Sequence, residues 1–155
     1  MTDELTSYPI DPIPLFKDWL SEAERSENVN PTAMALATAD TDGAPSVRMV
    51  LLKDVDERGF SFYTNSESRK GIEIAQNPRV SLCFYWKSLL REVRVEGPAV
   101  LDNLYDLTGQ SHYNETKFYF DWGFARVACY DMAKHINLPD ALLIDFFYKE
   151  VDDWL

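Results

Sequence analysis

Basic residues and hydroxyl-bearing residues cluster in the middle of this chain, in a pattern typical of an anion-binding site. Arg48 and Lys53 lie within one apolar run, and Arg69 and Lys70 follow a loop rich in hydroxyl and amide groups. The serine before Arg69 is suited to cap a helix, so free backbone N–H groups, two cations and hydroxyls converge at that point. This combination predicts a phosphate site, because charge-assisted hydrogen bonds to phosphate oxygens are strong.

A second interpretation of these cations is that they are solubilising charge on the exposed face of a β-sheet. On the pattern alone both interpretations stay open. Arg48 and Lys53 are five positions apart, so on a regular strand their side chains face opposite sides. A β-bulge, or two separate ligands, is therefore needed if both side chains are to serve one pocket.

Length and charge limit the class of protein. The chain has 155 residues, 46% of them hydrophobic and 14% aromatic, and a formal net charge of −11. These values predict a single globular domain over residues 1–155 with a substantial core. Nucleic acid is not expected as a partner, because the surface as a whole is acidic. Residues 46–94 nevertheless hold nine Lys/Arg against six Asp/Glu, which leaves room for a local basic pocket.

Several other classes of site lack their motifs in this sequence. No apolar run approaches the ~18 residues of a membrane span, and the N-terminus has no signal-peptide pattern, so we expect a cytoplasmic protein without a membrane partner. Cys83 and Cys129 form no paired motif, and Cys83 is expected to be a buried free thiol. His112 and His135 have no partners at metal spacing, so no metal site is expected. Without a P-loop, a dinucleotide fingerprint or a nucleophile elbow, catalytic residues stay unassigned.

The elements that must position the cations are predicted from periodicity and turn residues. A helix opens near residue 11, with apolar residues three and four positions apart on one face. A second, short helix is expected at 69–76, and strands at 33–38, 46–54, 60–64, 80–86 and 92–100. Short loops between the first three strands predict an antiparallel meander. The whole pattern predicts a mainly β fold with flanking helices, built on a small antiparallel barrel.

The last third of the chain has a different composition. Residues 99–155 hold ten acidic and four basic residues together with twelve aromatic ones. A helix is predicted over 131–138, and a final helix is predicted from Asp140, so the C-terminal segment is expected to be helical. The apolar face of that final helix consists of Leu143, Phe147, Val151 and Trp154. No chemical motif is visible in this segment.

Seven motifs stand in a recognisable order between residues 11 and 98. They are Asp11-Pro…Leu15-Phe16…Trp19-Leu20, Pro31-Thr-Ala-Met-Ala-Leu-Ala37, Val47-Arg-Met-Val-Leu-Leu-Lys53, Gly59-Phe…Phe62-Tyr-Thr-Asn65, Ser68-Arg-Lys70, Asn77-Pro78 and Trp86…Arg91…Val93…Val95-Glu-Gly97. In this order they resemble the pyridoxamine 5′-phosphate oxidase family, whose members bind FMN in a split β-barrel.

The resemblance implies a cofactor, a reaction and an assembly. Members of the family oxidise pyridoxamine or pyridoxine 5′-phosphate to pyridoxal 5′-phosphate, with O2 as acceptor, and hold the flavin between the subunits of a homodimer. Arg69 and Lys70 are then expected to hold the FMN phosphate, and Lys53 is also expected to meet the substrate phosphate. The full set of expected FMN contacts is Arg48, Met49, Val50, Leu51, Lys53, Tyr63, Thr64, Arg69 and Lys70. The aromatic run 84–86 is expected to face the partner subunit.

The chain departs from the family pattern in two places. Glu92 stands where the family usually has Gln, and a carboxylate cannot donate a hydrogen bond to the flavin unless it is protonated. Arg94 can compensate only in part. Beyond Pro98, the family's substrate-phosphate residues, its Gln-Ser flavin pair and its Arg-x-His motif cannot be placed. An alternative is therefore a flavin- or pyridoxal-phosphate-binding protein with little or no oxidase turnover.

Overall fold

The computed structural model describes residues 13–56 and 59–100 with their side chains, and the backbone alone of residues 101, 115–120, 126–131 and 143–147. Within these residues the chain forms two helices and eight strands. In chain order they are α1 (Ile13–Ser26), β1 (Ala33–Ala39), β2 (Pro45–Asp56), β3 (Gly59–Asn65), α2 (Arg69–Gln76), β4 (Arg79–Trp86), β5 (Arg91–Leu101), β6 (Glu115–Phe120), β7 (Arg126–Asp131) and β8 (Leu143–Phe147). Neither helix is long and apolar enough to span a bilayer.

Six of the strands close into a ring of antiparallel pairs. The order is β4-β1-β2-β3-β6-β5, and β5 pairs again with β4. Strand β5 has three neighbours because it is long. Its residues 91–98 pair with β4, residues 99–101 pair with β6, and residues 91–96 also pair with β7 on their other side. Strand β8 extends the sheet beyond β7. The antiparallel meander of β1, β2 and β3 is confirmed, and so is the mainly β barrel with flanking helices.

The core is aromatic and is closed by α1. Phe16 of α1 is fully buried, with ring centroids 4.7 Å from Phe60 and 5.0 Å from Phe84. Trp86 is buried beside Phe84, and its indole N–H donates to the backbone oxygen of Pro31 at 2.8 Å. The expectation that the whole run 84–86 faces a partner was therefore wrong for Phe84 and Trp86. Their side chains alternate inward along β4, and the residue between them points outward.

The predicted helical character of the C-terminal segment was wrong where the backbone is described. Residues 143–147 form strand β8, which pairs with β7 in the register Cys129↔Ile144. Asp131 ends β7 and does not begin a helix. A short apolar run fits a strand and a helix equally well by periodicity, and its branched and aromatic residues favour a strand once an open sheet edge is available. The other residues of both predicted helices lie outside the described part of the chain.

Candidate functional site

The turn between β3 and α2 is fixed by hydrogen bonds around one asparagine. The Asn65 side chain accepts from the backbone N–H of Glu67 at 2.8 Å. The Ser68 hydroxyl donates to the backbone oxygen of Asn65 at 2.6 Å and accepts from the backbone N–H of Gly71 at 3.3 Å. Ser68 is therefore the N-cap of α2, as predicted, and residues 66–68 connect β3 to the helix.

Gly71 allows α2 to lie against this turn. A Cβ atom at this position would be 2.5 Å from the backbone oxygen of Asn65 and 2.6 Å from that of Ser66. Both distances are shorter than carbon–oxygen contacts in real proteins, so a larger residue would displace the helix from the turn. The positions of Arg69 and Lys70 therefore depend on this close packing.

A buried carboxylate, Glu73, lies at the centre of the candidate site. Its Oε2 accepts hydrogen bonds from the Thr38 hydroxyl and, at 2.8 Å, from the Ser46 hydroxyl. Its Oε1 accepts from Nε of Arg69 at 3.0 Å, and Nη2 of Arg48 lies 3.5 Å from Oε2. The hydrogen bonds from Thr38 and Ser46, together with Arg69, lower the pKa of Glu73 from 4.5 to about 2. Glu73 is therefore ionised at neutral pH.

Arg48 is held on several sides by these same residues. Its Nη1 donates to the Thr38 hydroxyl at 2.6 Å and to the backbone oxygen of Leu36 at 3.3 Å. Its Nη2 donates to the Ser46 hydroxyl at 2.6 Å. The side chain is only 21% exposed, so interpreting Arg48 as solubilising surface charge does not fit the structure. Arg69 differs, because its side chain is 70% exposed although its Nε is bound to Glu73.

The other predicted residues of β2 divide between the two faces of the strand. Val50 is buried in the core, on the side of Arg48, whereas Met49 and Leu51 are exposed on the outer face. Lys53 is exposed and lies at a register shift between its two neighbours in the pairing of β2 with β3. The alternation of β2 is regular as far as this shift, so Lys53 lies on the outer face with Met49 and Leu51, and the described geometry does not bring it to the side of Arg48.

Strand β3 contributes a buried hydroxyl next to the turn. Thr64 is 4% exposed, and within the described part of the chain its hydroxyl has no hydrogen-bond partner. Its neighbour Tyr63 is half-buried. A buried hydroxyl without a partner costs about 1–3 kcal/mol, and the hydroxyl of Ser61 on the same strand is also buried without a partner among the described residues. The groups that can receive a ligand are the cations and the N–H groups at the start of α2, and they fit a phosphate-bearing ligand such as FMN.

A second polar cluster lies where β4 pairs with β5. Nε of Arg94 lies 2.5 Å from Oε1 of Glu92, and the Cys83 thiol donates to the same oxygen at 3.5 Å. Burial, followed by the negative charge of Glu92, raises the pKa of Cys83 to about 11. Cys83 is free, as predicted, but it is half-buried where full burial was expected. The pairing of Arg94 with Glu92 means that this carboxylate is not an isolated charge on the sheet.

Three residues of the site were not predicted, namely Thr38, Ser46 and Glu73. The spacing of Arg69 and Glu73 is a weak signal for them, because residues four apart on a helix are neighbours. The hydroxyls of the β1–β2 hairpin at positions 38 and 46 are a second weak signal, because they are opposite each other in the strand register. Neither signal shows that α2 packs its carboxylate against that hairpin.

Solved structures with this fold define the class of protein. The chain is similar to the crystal structure of PhzG from Burkholderia lata 383 in complex with tetrahydrophenazine-1-carboxylic acid, with a TM-score of 0.68 and 24% identity over 83% of this chain and 84% of that one. It is also similar to a pyridoxamine 5′-phosphate oxidase-related, FMN binding protein from Nostoc punctiforme PCC 73102, with a TM-score of 0.66 and 16% identity over 82% and 86% of the two chains. The fold is that of the FMN-binding split barrels.

Sequence comparison narrows this class to a family. The family model described as pyridoxamine 5′-phosphate oxidase matches residues 20–110, and the chain belongs to this family. A pyridoxine/pyridoxamine 5′-phosphate oxidase of Gluconobacter oxydans (strain 621H) is 65% identical over 88 residues, which are 57% of this chain and 44% of the relative. The corresponding protein of Erythrobacter litoralis (strain HTCC2594) is 61% identical over 100 residues, or 63% of this chain and 47% of the relative. The chain thus spans about half the length of the curated relatives it matches.

Proposed function

We propose that this chain binds FMN and, as a cytoplasmic homodimer, oxidises pyridoxamine or pyridoxine 5′-phosphate to pyridoxal 5′-phosphate with O2 as acceptor. The observation that carries the proposal is the arrangement at the start of α2, where Glu73 brings Arg48 and Arg69 together beside the turn that follows Thr64. Two cations and the first N–H groups of a helix are suited to a phosphate. The names of the relatives support the choice of vitamer.

Each part of the proposed cofactor site has a distinct role. Arg69 and Lys70, with the N-terminus of α2, bind the FMN phosphate, and Thr64 and Tyr63 contact the adjoining tail. Residues 48–51 and Lys53 line the flavin, and Lys53 also meets the phosphate of the substrate. FMN supplies the hydride acceptance and the reaction with O2, so the protein's task is to bind, orient and shield.

Arg69→Ala tests the phosphate assignment. A charge-assisted hydrogen bond contributes about 1.5–3 kcal/mol, and the 70% exposure of this side chain favours the lower end of that range. We expect FMN affinity to fall about tenfold in a fluorescence titration, which corresponds to ~1.4 kcal/mol. Arg25→Ala is the matched control, because Arg25 is an exposed arginine on α1. Equal FMN affinity in wild type and Arg69→Ala would remove Arg69 from the site.

The homodimer is proposed from an exposed apolar area on the outer face of the barrel. Val47, Met49 and Leu51 of β2 are 69%, 64% and 41% exposed, and Tyr85 of β4 is 53% exposed. Strand β1 lies between these two strands and contributes alanines to the same face, with Ala35 opposite Met49. Contiguous exposed apolar surface of this kind marks an interface.

Light scattering at micromolar concentration is the test of this assembly. Wild type should have about twice the chain mass, and Met49→Glu should shift the population to monomer by placing a charge in the interface. Lys17→Glu, on the exposed face of α1, controls for the change in net charge. A wild-type monomer that binds one FMN per chain would contradict a site shared between subunits.

A second candidate is a protein that binds FMN or pyridoxal 5′-phosphate with little oxidase turnover. One observation favours it: Glu92 is an ion-paired carboxylate where the family usually has an amide. Oxygen-dependent formation of pyridoxal 5′-phosphate by the purified chain separates the candidates. Yellow protein with no product would favour the binding protein over the oxidase.

A further inference from the structure

We propose that Glu73 is a positioning residue for the cofactor phosphate: it orients the guanidinium groups of Arg48 and Arg69 and does not itself contact the ligand. The inference rests on the proposed FMN site and adds a residue to it. Glu73 is 5% exposed and lies one turn beyond the cationic start of α2. In this proposal Glu73 fixes the positions of the two guanidinium groups, and these groups bind the phosphate.

Both oxygens of the carboxylate are in use, and they join three elements of the fold. Oε1 accepts from Arg69 on the same helix, at 3.0 Å. Oε2 accepts from Thr38 of β1 and from Ser46 of β2, at 2.8 Å in the second case. The same two hydroxyls accept from Arg48, each at 2.6 Å. Thr38 and Ser46 therefore connect Arg48 to the carboxylate, and the five residues form one network.

The contrast between the two arginines shows what the network does. Arg48 is 21% exposed and held by several acceptors, so its guanidinium has little freedom with or without a ligand. Arg69 is 70% exposed, and the structure gives it one side-chain partner among the described residues, which is Glu73. A long exposed side chain without an anchor populates many rotamers, and that freedom is lost when it binds a ligand. Glu73 restricts Arg69 before the phosphate arrives.

Removing Glu73 would also change the net charge of the site. The effect of that change on FMN affinity is opposite in sign to the effect of lost positioning, so the two can be told apart. Arg48, Arg69 and Lys70 with Glu73 leave a net charge of +2, close in magnitude to the −1.5 to −2 of a phosphate monoester at neutral pH. Removing the carboxylate would raise this to +3, so a field effect alone predicts tighter binding of an anion. Loss of positioning predicts weaker binding. The sign of the change in affinity therefore distinguishes the two effects.

The test compares FMN with riboflavin, which lacks the phosphate, on wild type, Glu73→Ala and Glu73→Gln. We expect Glu73→Ala to weaken FMN binding about tenfold and to change riboflavin binding by less than about twofold. Glu73→Gln keeps one acceptor oxygen, so its loss should be smaller. Unchanged or tighter FMN binding in Glu73→Ala would overturn the inference. An equal loss for FMN and riboflavin would also overturn it, because it would show a general structural role.

A double-mutant cycle with Arg69→Ala provides a second measurement. Arg48 keeps its bonds to Leu36, Thr38 and Ser46 without the carboxylate, so Glu73 should act mainly through Arg69. The double variant should then lose little more FMN affinity than Arg69→Ala alone. Additive losses would contradict the proposed route. If Glu73→Ala does not fold, Glu73→Gln and the cycle built on it decide the matter. If wild type does not bind FMN, the proposed function itself is refuted. If wild type binds FMN and changes at position 73 leave the affinity unchanged, only the role of Glu73 is refuted.

Discussion

Gly71→Ala should destabilise the protein, although alanine is the better helix former. The new Cβ atom would be 2.5 Å from the backbone oxygen of Asn65, and ordinary contacts begin at 3.4 Å, so α2 and the turn must separate by about 0.9 Å. Forcing extra atoms into a packed site costs about 1–3 kcal/mol, and the helix propensity of alanine returns at most ~1 kcal/mol. We therefore expect a net loss of about 1–2 kcal/mol.

Urea unfolding of the purified chain measures this loss. With an m-value of about 2 kcal/mol per M, the midpoint should fall by about 0.5–1 M. Ala75→Gly is the matched control, because Ala75 is exposed on the same helix and reports the propensity difference without a clash. The FMN affinity of Gly71→Ala should fall too, since Arg69 and Lys70 move with the helix. A variant more stable than wild type would refute the clash, and helix propensity alone would then explain the result.

Three other predictions follow from single contacts. The folded pKa of Glu73 is about 2 against 4.5, so its contribution to stability is complete above pH 4.5 and is lost as the pH falls toward 2; urea midpoints across this window should fall less steeply in Glu73→Gln. Trp86→Phe removes the donor to Pro31 and should cost about 1–3 kcal/mol of unfolding free energy, and an unchanged midpoint would rule out a role for that bond. The Cys83 thiol, with its pKa raised to about 11, should react slowly with iodoacetamide at pH 8, and Glu92→Gln should accelerate the reaction at that cysteine, as followed by peptide mass spectrometry.

The barrel strands were predictable because their signals are local. The turn at residues 40–43 has aspartates and a glycine, and Gly43 adopts a φ of 82°, which favours glycine. Alternating burial along β1 and β4 follows from the side-chain period of a strand. The C-terminal segment carried no such signal. Strand β8 exists because β7 offers an edge for pairing, and an edge made elsewhere in the chain is not visible in the periodicity of residues 143–147.

The cationic start of α2 was predictable for the same local reason. Ser68, Arg69 and Lys70 are consecutive, and a capping serine places the following cations at a helix N-terminus. The relation of Lys53 to Arg48 was less determined. The spacing showed that a bulge was needed, and the bulge between Leu52 and Asp54 depends on how β2 pairs with β3. Because the bulge follows the regularly alternating part of β2, Lys53 remains exposed on the face opposite Arg48.

Glu73 was missed because its meaning depends on what α2 packs against. As a residue four positions after Arg69, it is typical of an exposed ion pair worth only a few tenths of a kcal/mol. The same carboxylate, at 5% exposure and bound by two hydroxyls of the β1–β2 hairpin, is instead an internal anion for the cationic site. The basic residues had been interpreted as surface charge or as direct ligand contacts. Neither interpretation included a buried carboxylate of the protein itself as their partner. Since a buried carboxylate requires charge-assisted partners, Arg48 and Arg69, which we propose as part of the cofactor site, already balance a charge within the protein.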